Sequence, residues 1–291
     1  MRRRKAVAGR FKGAAVALKQ LLARRMPTLR DRWSMWWMIV KSPGFVSGLR
    51  GFQAYCQLVL SRSKAPRSIV RISLRPLNGY SILARTGTSD AQVIYDTFSG
   101  QYHLPPTNIP RSAQILDLGS NIGTTIAHMA VVFPEAQILG VELDGENAEL
   151  CQRNIAPWSD RCTVLHAAIW PTDGTVRYRL EPRREYGARV VTGTPDLQSV
   201  TAISLNSIVA RLGRNVDYLK MDIEGVEGEI LGKNNEWAEQ VRVIAVEVHP
   251  PYSVESCLRD LRALNFEATP MPNHWAGVVG IRRSPHTELG R

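Results

Sequence analysis

The sequence predicts an α/β fold: a mostly parallel, twisted sheet with helices on both faces, preceded by a basic helical N-terminal arm. Three observations lead there. From Arg111 onward, short apolar runs of strand length alternate with helical patterns, the order that builds parallel sheets. Several of those runs end in acids or glycine turns, where open sheets gather ligand-binding groups. The charge is also uneven: net +11 overall, with eighteen Lys or Arg and one acid, Asp31, within residues 1–75, leaving a mildly acidic body. At 44% hydrophobic and 22% charged the chain is globular, neither collagen-like nor of low complexity. Cys56, Cys151, Cys162 and Cys257 stand at unrelated spacings, with no C-x-x-C, as in a cytoplasmic protein with reduced thiols.

Residues 1–68 are expected to form a basic, Trp-containing arm, helical or partly disordered. Phe11, Ala15, Leu18 and Leu22 recur at helical spacing among Arg10, Lys12, Lys19, Arg24 and Arg25, a basic amphipathic pattern. Trp33, Trp36 and Trp37 follow in a run far shorter than the ~20 apolar residues a spanning helix needs. Bases interrupt every candidate signal-peptide core. These features predict peripheral contact with an anionic membrane through residues 1–60, at the inner membrane surface. The alternatives are a solubilising leader, or tryptophans that dock with Val40 onto the body.

Residues 69–110 lead into the core. Ile69–Leu74 and Tyr80–Leu83 alternate around Asn78-Gly79, a hairpin signal. Asp90 is expected to cap a helix through Phe98, and Pro105, Pro106 and Pro110 mark a boundary. Within the core, residues 111–283, strands are expected at 114–118, 137–142, 162–168, 216–223 and 241–248, with a last one at 277–281. Shorter strands are expected at 175–180, 189–191 and 200–203, and helices at 124–133, 144–155 and 252–264. Residues 284–291 are a tail.

Four segments carry chemistry. Ile115-Leu-Asp-Leu-Gly-Ser-Asn-Ile-Gly ends a strand in Asp117, then turns through Gly119, Ser120, Asn121 and Gly123 into a helix. An acid there suits an amino group better than a phosphate, as at the aminoacyl end of S-adenosylmethionine. Glu142, closing the next strand, suits ribose hydroxyls. Strand alternation sets Lys220, Asp222 and Glu224 on one side of their strand, and Glu247 and His249 share a side at the end of another. Ionisable groups so placed are costly unless paired or functional.

These blocks in this order, D-L-G-S-N-I-G, V-E-L-D, L-K-M-D-I-E-G-V-E and V-E-V-H, resemble the FkbM-type S-adenosylmethionine-dependent methyltransferases from about Gly87 to Arg283. The resemblance implies a class I Rossmann-like methyltransferase fold with an antiparallel last strand, and O-methylation of a sugar, glycan or polyketide-type hydroxyl. It implies that Asp117, Gly119, Asn121 and Gly123 form the cofactor loop, Glu142 holds the ribose, and Lys220, Asp222 and Glu224 lie near the transferred methyl. Asp222 or Glu224 is then the expected base, with His249 competing and Lys220 orienting the carboxylates. Leu143 stands where many members have Pro, and Asn206 where Asp is common, a change expected to touch only a helix cap. Arg177, Arg179, Arg183, Arg184 and Arg189 are candidates to line an acceptor pocket.

A divalent metal on Asp222, Glu224, Glu247 and His249 is allowed by residue type; an internally paired lysine–carboxylate cluster is favoured, so no metal is expected. The rival function is a nucleotide- or nucleic-acid-binding adaptor with a basic arm. It is disfavoured, because the body is acidic and Met221-Asp-Ile-Glu replaces the N-P-P-Y type segment of base-directed methyltransferases.

Overall fold

The computed structural model describes residues 29–61, 67–181, 184–190, 198–272 and 274–283. The amphipathic pattern at Phe11–Arg25 and the tail 284–291 lie outside them.

Helix α1 (Leu29–Lys41) is apolar on two faces. Met35, Met38 and Ile39 are buried, whereas Trp33, Trp36, Trp37 and Val40 remain exposed. The body is thus met by methionines, not by the tryptophans. Helix α2 (Gly48–Ser61) lies within the arm expected to be helical, though the sequence did not mark its bounds, because Gly48, Arg50 and Gly51 obscure its apolar stripe. Tyr55, Leu58 and Val59 nonetheless bury one face, and the Tyr55 hydroxyl donates to the Ala91 carbonyl at 3.0 Å. A Cβ on Gly51 would lie 3.2 Å from the Ser73 carbonyl oxygen, so the helix packs closest where its side chain is smallest. Met35, Tyr55, Leu58, Ile72, Ile94 and Ile115 belong to one apolar cluster. This cluster runs across residue 68 without a break.

Strands β1 (Ile69–Ser73) and β2 (Ser81–Arg85) form the expected antiparallel hairpin, with Asn78 and Gly79 at positive φ. Helix α3 (Asp90–Tyr95) departs from expectation in its start, since Asp90 does not cap it. The fully buried Asp90 carboxylate instead accepts from the Arg85 backbone N–H at 2.7 Å and from its guanidinium at 2.9 and 3.1 Å. A buried guanidinium requires a counter-charge, and that demand outweighs the cap. After Tyr95 a single wide turn, Asp96–Gly100, carries Phe98 into the core.

The body alternates strands and helices as predicted: β3 (Gln114–Leu118), α4 (Thr124–Val132), β4 (Gln137–Glu142), α5 (Gly145–Ile155) and β5 (Cys162–His166). The expected strand at 162–168 breaks at Ala167, because β6 (Ala168–Ile169) joins a second sheet with β7 (Gly174–Glu181), β8 (Arg184–Val190) and β9 (Gln198–Ile203). Then come α6 (Leu205–Leu212), β10 (Val216–Met221), α7 (Glu227–Gly232), β11 (Val241–Glu247), α8 (Val254–Ala263), β12 (Phe266–Pro270) and β13 (Gly277–Arg282). The main sheet has seven strands in the order β12-β13-β11-β10-β3-β4-β5. Its five central and edge strands from β11 to β5 run parallel, and β13 is antiparallel to β11. Strand order reverses between β3 and β10, so their carboxyl ends open a crevice.

Asn206 is not a cap either. Ser204 caps α6 by accepting from the Ser207 N–H, while Asn206 accepts from the Trp237 N–H at 2.7 Å and donates to the Asn234 carbonyl and to Glu236. It ties α6 to the turn before β11.

Candidate active site

The crevice holds a cavity of about 580 Å³, within the range of small-molecule sites. One wall is the loop after β3. Gly119 has φ +80, and a Cβ there would fall 1.8 Å from the Asp222 carbonyl oxygen, so only glycine lets the loop cross the end of β10. A Cβ on Gly123, φ +82, would meet Cys151 Sγ at 2.8 Å. This second glycine seats α4 against α5.

Gly119, Ser120, Asn121, Thr124, Thr125 and Glu142 line the cavity; Asp117 and Gly123 do not. Asp117 is fully buried behind the loop, where it accepts from the Thr125 hydroxyl and faces Lys220 Nζ at 3.3 Å. Burial raises its pKa, opposed by Lys220 and Thr125. Register explains the pairing, because Lys220 and Asp117 are direct partners across β10 and β3. Sequence reading placed this acid at a ligand; in the structure it lies behind the loop, outside the cavity lining.

Glu142 lies at the cavity wall with both carboxylate oxygens engaged, Oε2 by the Asn121 N–H at 2.7 Å and Oε1 by the Asp144 N–H at 2.8 Å. Burial pushes it up to about 7, against the pull of those two bonds. The Asn147 side chain adds a further hydrogen bond to this carboxylate. Val141, Leu143, Ala167, Ala168 and Ile169 add an apolar wall beside it.

The opposite wall gathers Lys220, Asp222, Glu224, Glu247 and His249. Lys220 sits 3.3 Å from Asp222 Oδ2 as well as from Asp117. Desolvation lowers its pKa, but Asp117, Asp222 and Glu247 outweigh this and raise it overall. Glu224 reaches the group by a route other than strand alternation: β10 ends at Met221, and Glu224 takes a left-handed φ of 56° before Gly225 at 103°. His249 Nε2 is 3.8 Å from Asp222 Oδ1, 3.8 Å from Glu224 Oε2 and 3.9 Å from Glu247 Oε1.

The residue that sequence reading missed is Glu227. It is fully buried in the first turn of α7, its Oε1 lies 2.8 Å from His249 Nδ1, and its Oε2 has no hydrogen-bond partner. The available signal was the second acid of Glu224-Gly-Val-Glu227, which reads as an ordinary first-turn acid favoured by the helix dipole. Desolvation lowers the His249 pKa, but the bond to Glu227 and the charges of Asp222 and Glu224 prevail and raise it to about 9. Burial, then Asp222, pushes Glu247 up to about 8. Asp222, Glu224 and His249 offer ligand atoms within 4.8 Å of one another, a donor set a cation could use, with Lys220 already on the Asp222 side.

Tyr102 also lines the cavity, with its ring 4.6 Å from that of His274, and Trp275 borders it while 90% exposed. Of the arginine candidates, Arg177 is exposed and does not line the cavity; the side chains of Arg179, Arg183, Arg184 and Arg189 lie outside the described residues.

A parallel sheet with this strand order, an antiparallel last strand, β13, and a glycine loop over its switch point define a class I methyltransferase fold. Residues 117–268, over half of the chain, match the Methyltransferase FkbM domain, and the chain belongs to that family and is a methyltransferase. Methyltransferase sdnD of Sordaria araneosa is 25% identical over 227 residues, 64% of this chain and 86% of its own length. A tRNA1(Val) (adenine(37)-N6)-methyltransferase of Shewanella baltica is 31% identical over 100 residues, 33% of this chain and 40% of its own. The crystal structure of methyltransferase FkbM from Methylobacillus flagellatus superposes with a TM-score of 0.46 at 15% identity, covering 87% of this chain. This chain spans 59% of that protein's length.

Proposed function

We propose that this methyltransferase uses S-adenosylmethionine to methylate a hydroxyl oxygen of a sugar, glycan or polyketide-type small molecule. The observation that carries the reading is the Glu227–His249 pair, an oriented imidazole with Nε2 turned toward the cavity that the glycine loop and Glu142 also line. A hydroxyl is a poor nucleophile, so a base should take its proton as the new bond forms.

The residues present fit the cofactor. Glu142 suits ribose hydroxyls, the Val141–Leu143 and Ala167–Ile169 wall suits a flat base, and the carboxylates around His249 suit a cationic centre. Asp117 supports that site from below, by holding Lys220 and Thr125. S-adenosylmethionine, when bound, supplies a methyl group activated by a positive sulfonium. The chain's own work is to hold the acceptor in line at attack distance, which supplies much of the acceleration, and to take its proton. His249 Nε2 is the proposed acceptor of that proton, with Nδ1 donating to Glu227. Asp222 is the weaker candidate because Lys220 already engages it, and Glu224 is a secondary one. At rest the raised pKa keeps His249 protonated, so arrival of a cation among the same carboxylates favours release of that proton.

Calorimetric titration with S-adenosylmethionine and its demethylated product tests the cofactor, with Glu142→Ala as control. Transfer of labelled methyl from S-adenosylmethionine into panels of sugars, glycan fractions and hydroxylated polyketides tests the acceptor. A base-stable methyl ether is the expected product; label on nitrogen, carbon or an ester overturns the reading.

A further inference from the structure

Helix α1 carries Trp33, Trp36, Trp37 and Val40 on one stripe at the i, i+3, i+4, i+7 spacing, exposed by 68, 41, 48 and 46%. The rings form a continuous row, with centroids 5.9 Å apart for Trp33–Trp36 and 6.1 Å for Trp36–Trp37, and Lys41 Nζ lies 4.8 Å over the Trp37 ring. The opposite face, through Met35, Met38 and Ile39, is what holds the helix to the body. A helix apolar on both faces is stable where both are covered, and among the described residues nothing covers the tryptophans.

Charge selects the occupant. Residues 1–75 hold eighteen bases and one acid, and residues 1–28 alone hold nine bases and none. Covering the stripe with that segment, or with the same stripe of a second copy, brings like charges together; an anionic surface relieves them. Indole rings favour the headgroup region, where an apolar ring and a polar N–H are both accommodated. No helix among the described residues is long and apolar enough to cross a membrane. We propose that α1 lies flat on an anionic lipid bilayer, its tryptophan stripe at headgroup depth and the surrounding bases against the lipid charge.

The test is flotation of the full chain with phosphatidylcholine vesicles, with and without phosphatidylglycerol. The chain should float with the anionic vesicles at low salt, stay behind with the neutral ones, and be released at about 0.5 M salt. The Trp33→Ser, Trp36→Ser, Trp37→Ser triple variant should lose about tenfold or more of that partition. Its S-adenosylmethionine titration should match the parent, which separates this inference from the methyltransferase reading and shows the variant folded. Three results overturn it: no flotation with anionic vesicles, flotation equal in parent and variant, or a parent dimer that the variant abolishes while vesicles stay unbound. Retention on RNA in place of vesicles overturns it equally.

Discussion

The two walls of the cavity are built on opposite plans. On the loop side the carboxylates are held by fixed partners: Glu142 takes two backbone N–H bonds, and Asp117 takes a hydroxyl on Oδ2 while its Oδ1, without a hydrogen bond, faces Lys220 at 3.3 Å. On the side of β10 and β11, three carboxylates stand 3.8–3.9 Å from one imidazole nitrogen, beyond hydrogen-bond reach. The first wall is set to bind without rearrangement. The second holds like charges whose balance a proton or an arriving cation changes. In the proposed function the loop wall holds the nucleoside, and the wall of β10 and β11 faces the reacting centre and takes the proton.

The largest effect should come where the walls touch. Gly119→Ala drives a Cβ into the Asp222 carbonyl, in a backbone conformation that L side chains rarely adopt. It should abolish cofactor binding and lower the melting temperature sharply, the outcome to check by calorimetry and thermal melting; parent-like values would mean the walls are not in contact. Next, His249→Asn should cut turnover by about 10²–10⁴-fold with cofactor affinity nearly unchanged. Asp222→Asn should act in the same sense, also sparing affinity; full activity removes Asp222 from the site. On the binding wall, Glu142→Ala should weaken S-adenosylmethionine by about tenfold or more, as loss of hydrogen bonds to a charged group, with less effect on saturated turnover. A mutation that moved both parameters alike would erase the division.

How much of this was legible in the sequence follows from the range of the forces involved. Strands β3 and β4 were readable to the residue, because each opens at a glutamine, is mostly apolar through burial, and runs into a loop marked by an acid or glycine. Asp117, Glu142, Lys220 and His249 were singled out for the same reason, since polar groups at the ends of such runs stand out; the last three line the cavity and Asp117 lies behind it. Partners across the fold did not. Asp90 looked like a cap because Arg85 returns to it only in three dimensions, and Glu227 looked like a surface acid because its histidine lies on another strand. Helix α2 hid because close packing at Gly51 needs the residue that local propensity penalises.

A finer test concerns pH. A protonated imidazole is no base, so kcat/KM should rise with pH through an apparent value near the His249 figure of about 9. Glu227 stabilises the charged ring; Glu227→Gln should therefore move that limb to lower pH, and a profile unchanged by the substitution removes Glu227 from the positioning role. The smallest effect expected is none: excess chelator should leave turnover unaltered, since Lys220 supplies the positive charge beside Asp222. Loss of activity restored by a divalent cation would reassign Asp222, Glu224 and His249 as ligands.

The exposed indole of Trp275 gives the enzyme an optical property. Trp237 is fully buried, Trp158 nearly so, Trp170 is half-buried outside the cavity lining, and the three rings of α1 belong to another part of the surface, whereas Trp275 borders the cavity in contact with water. A molecule that covers it replaces solvent with a less polar neighbour, and its emission should move to shorter wavelength. Acceptor candidates can then be sorted by colour alone, with no label and no methyl transfer, against a Trp275→Phe chain that stays silent.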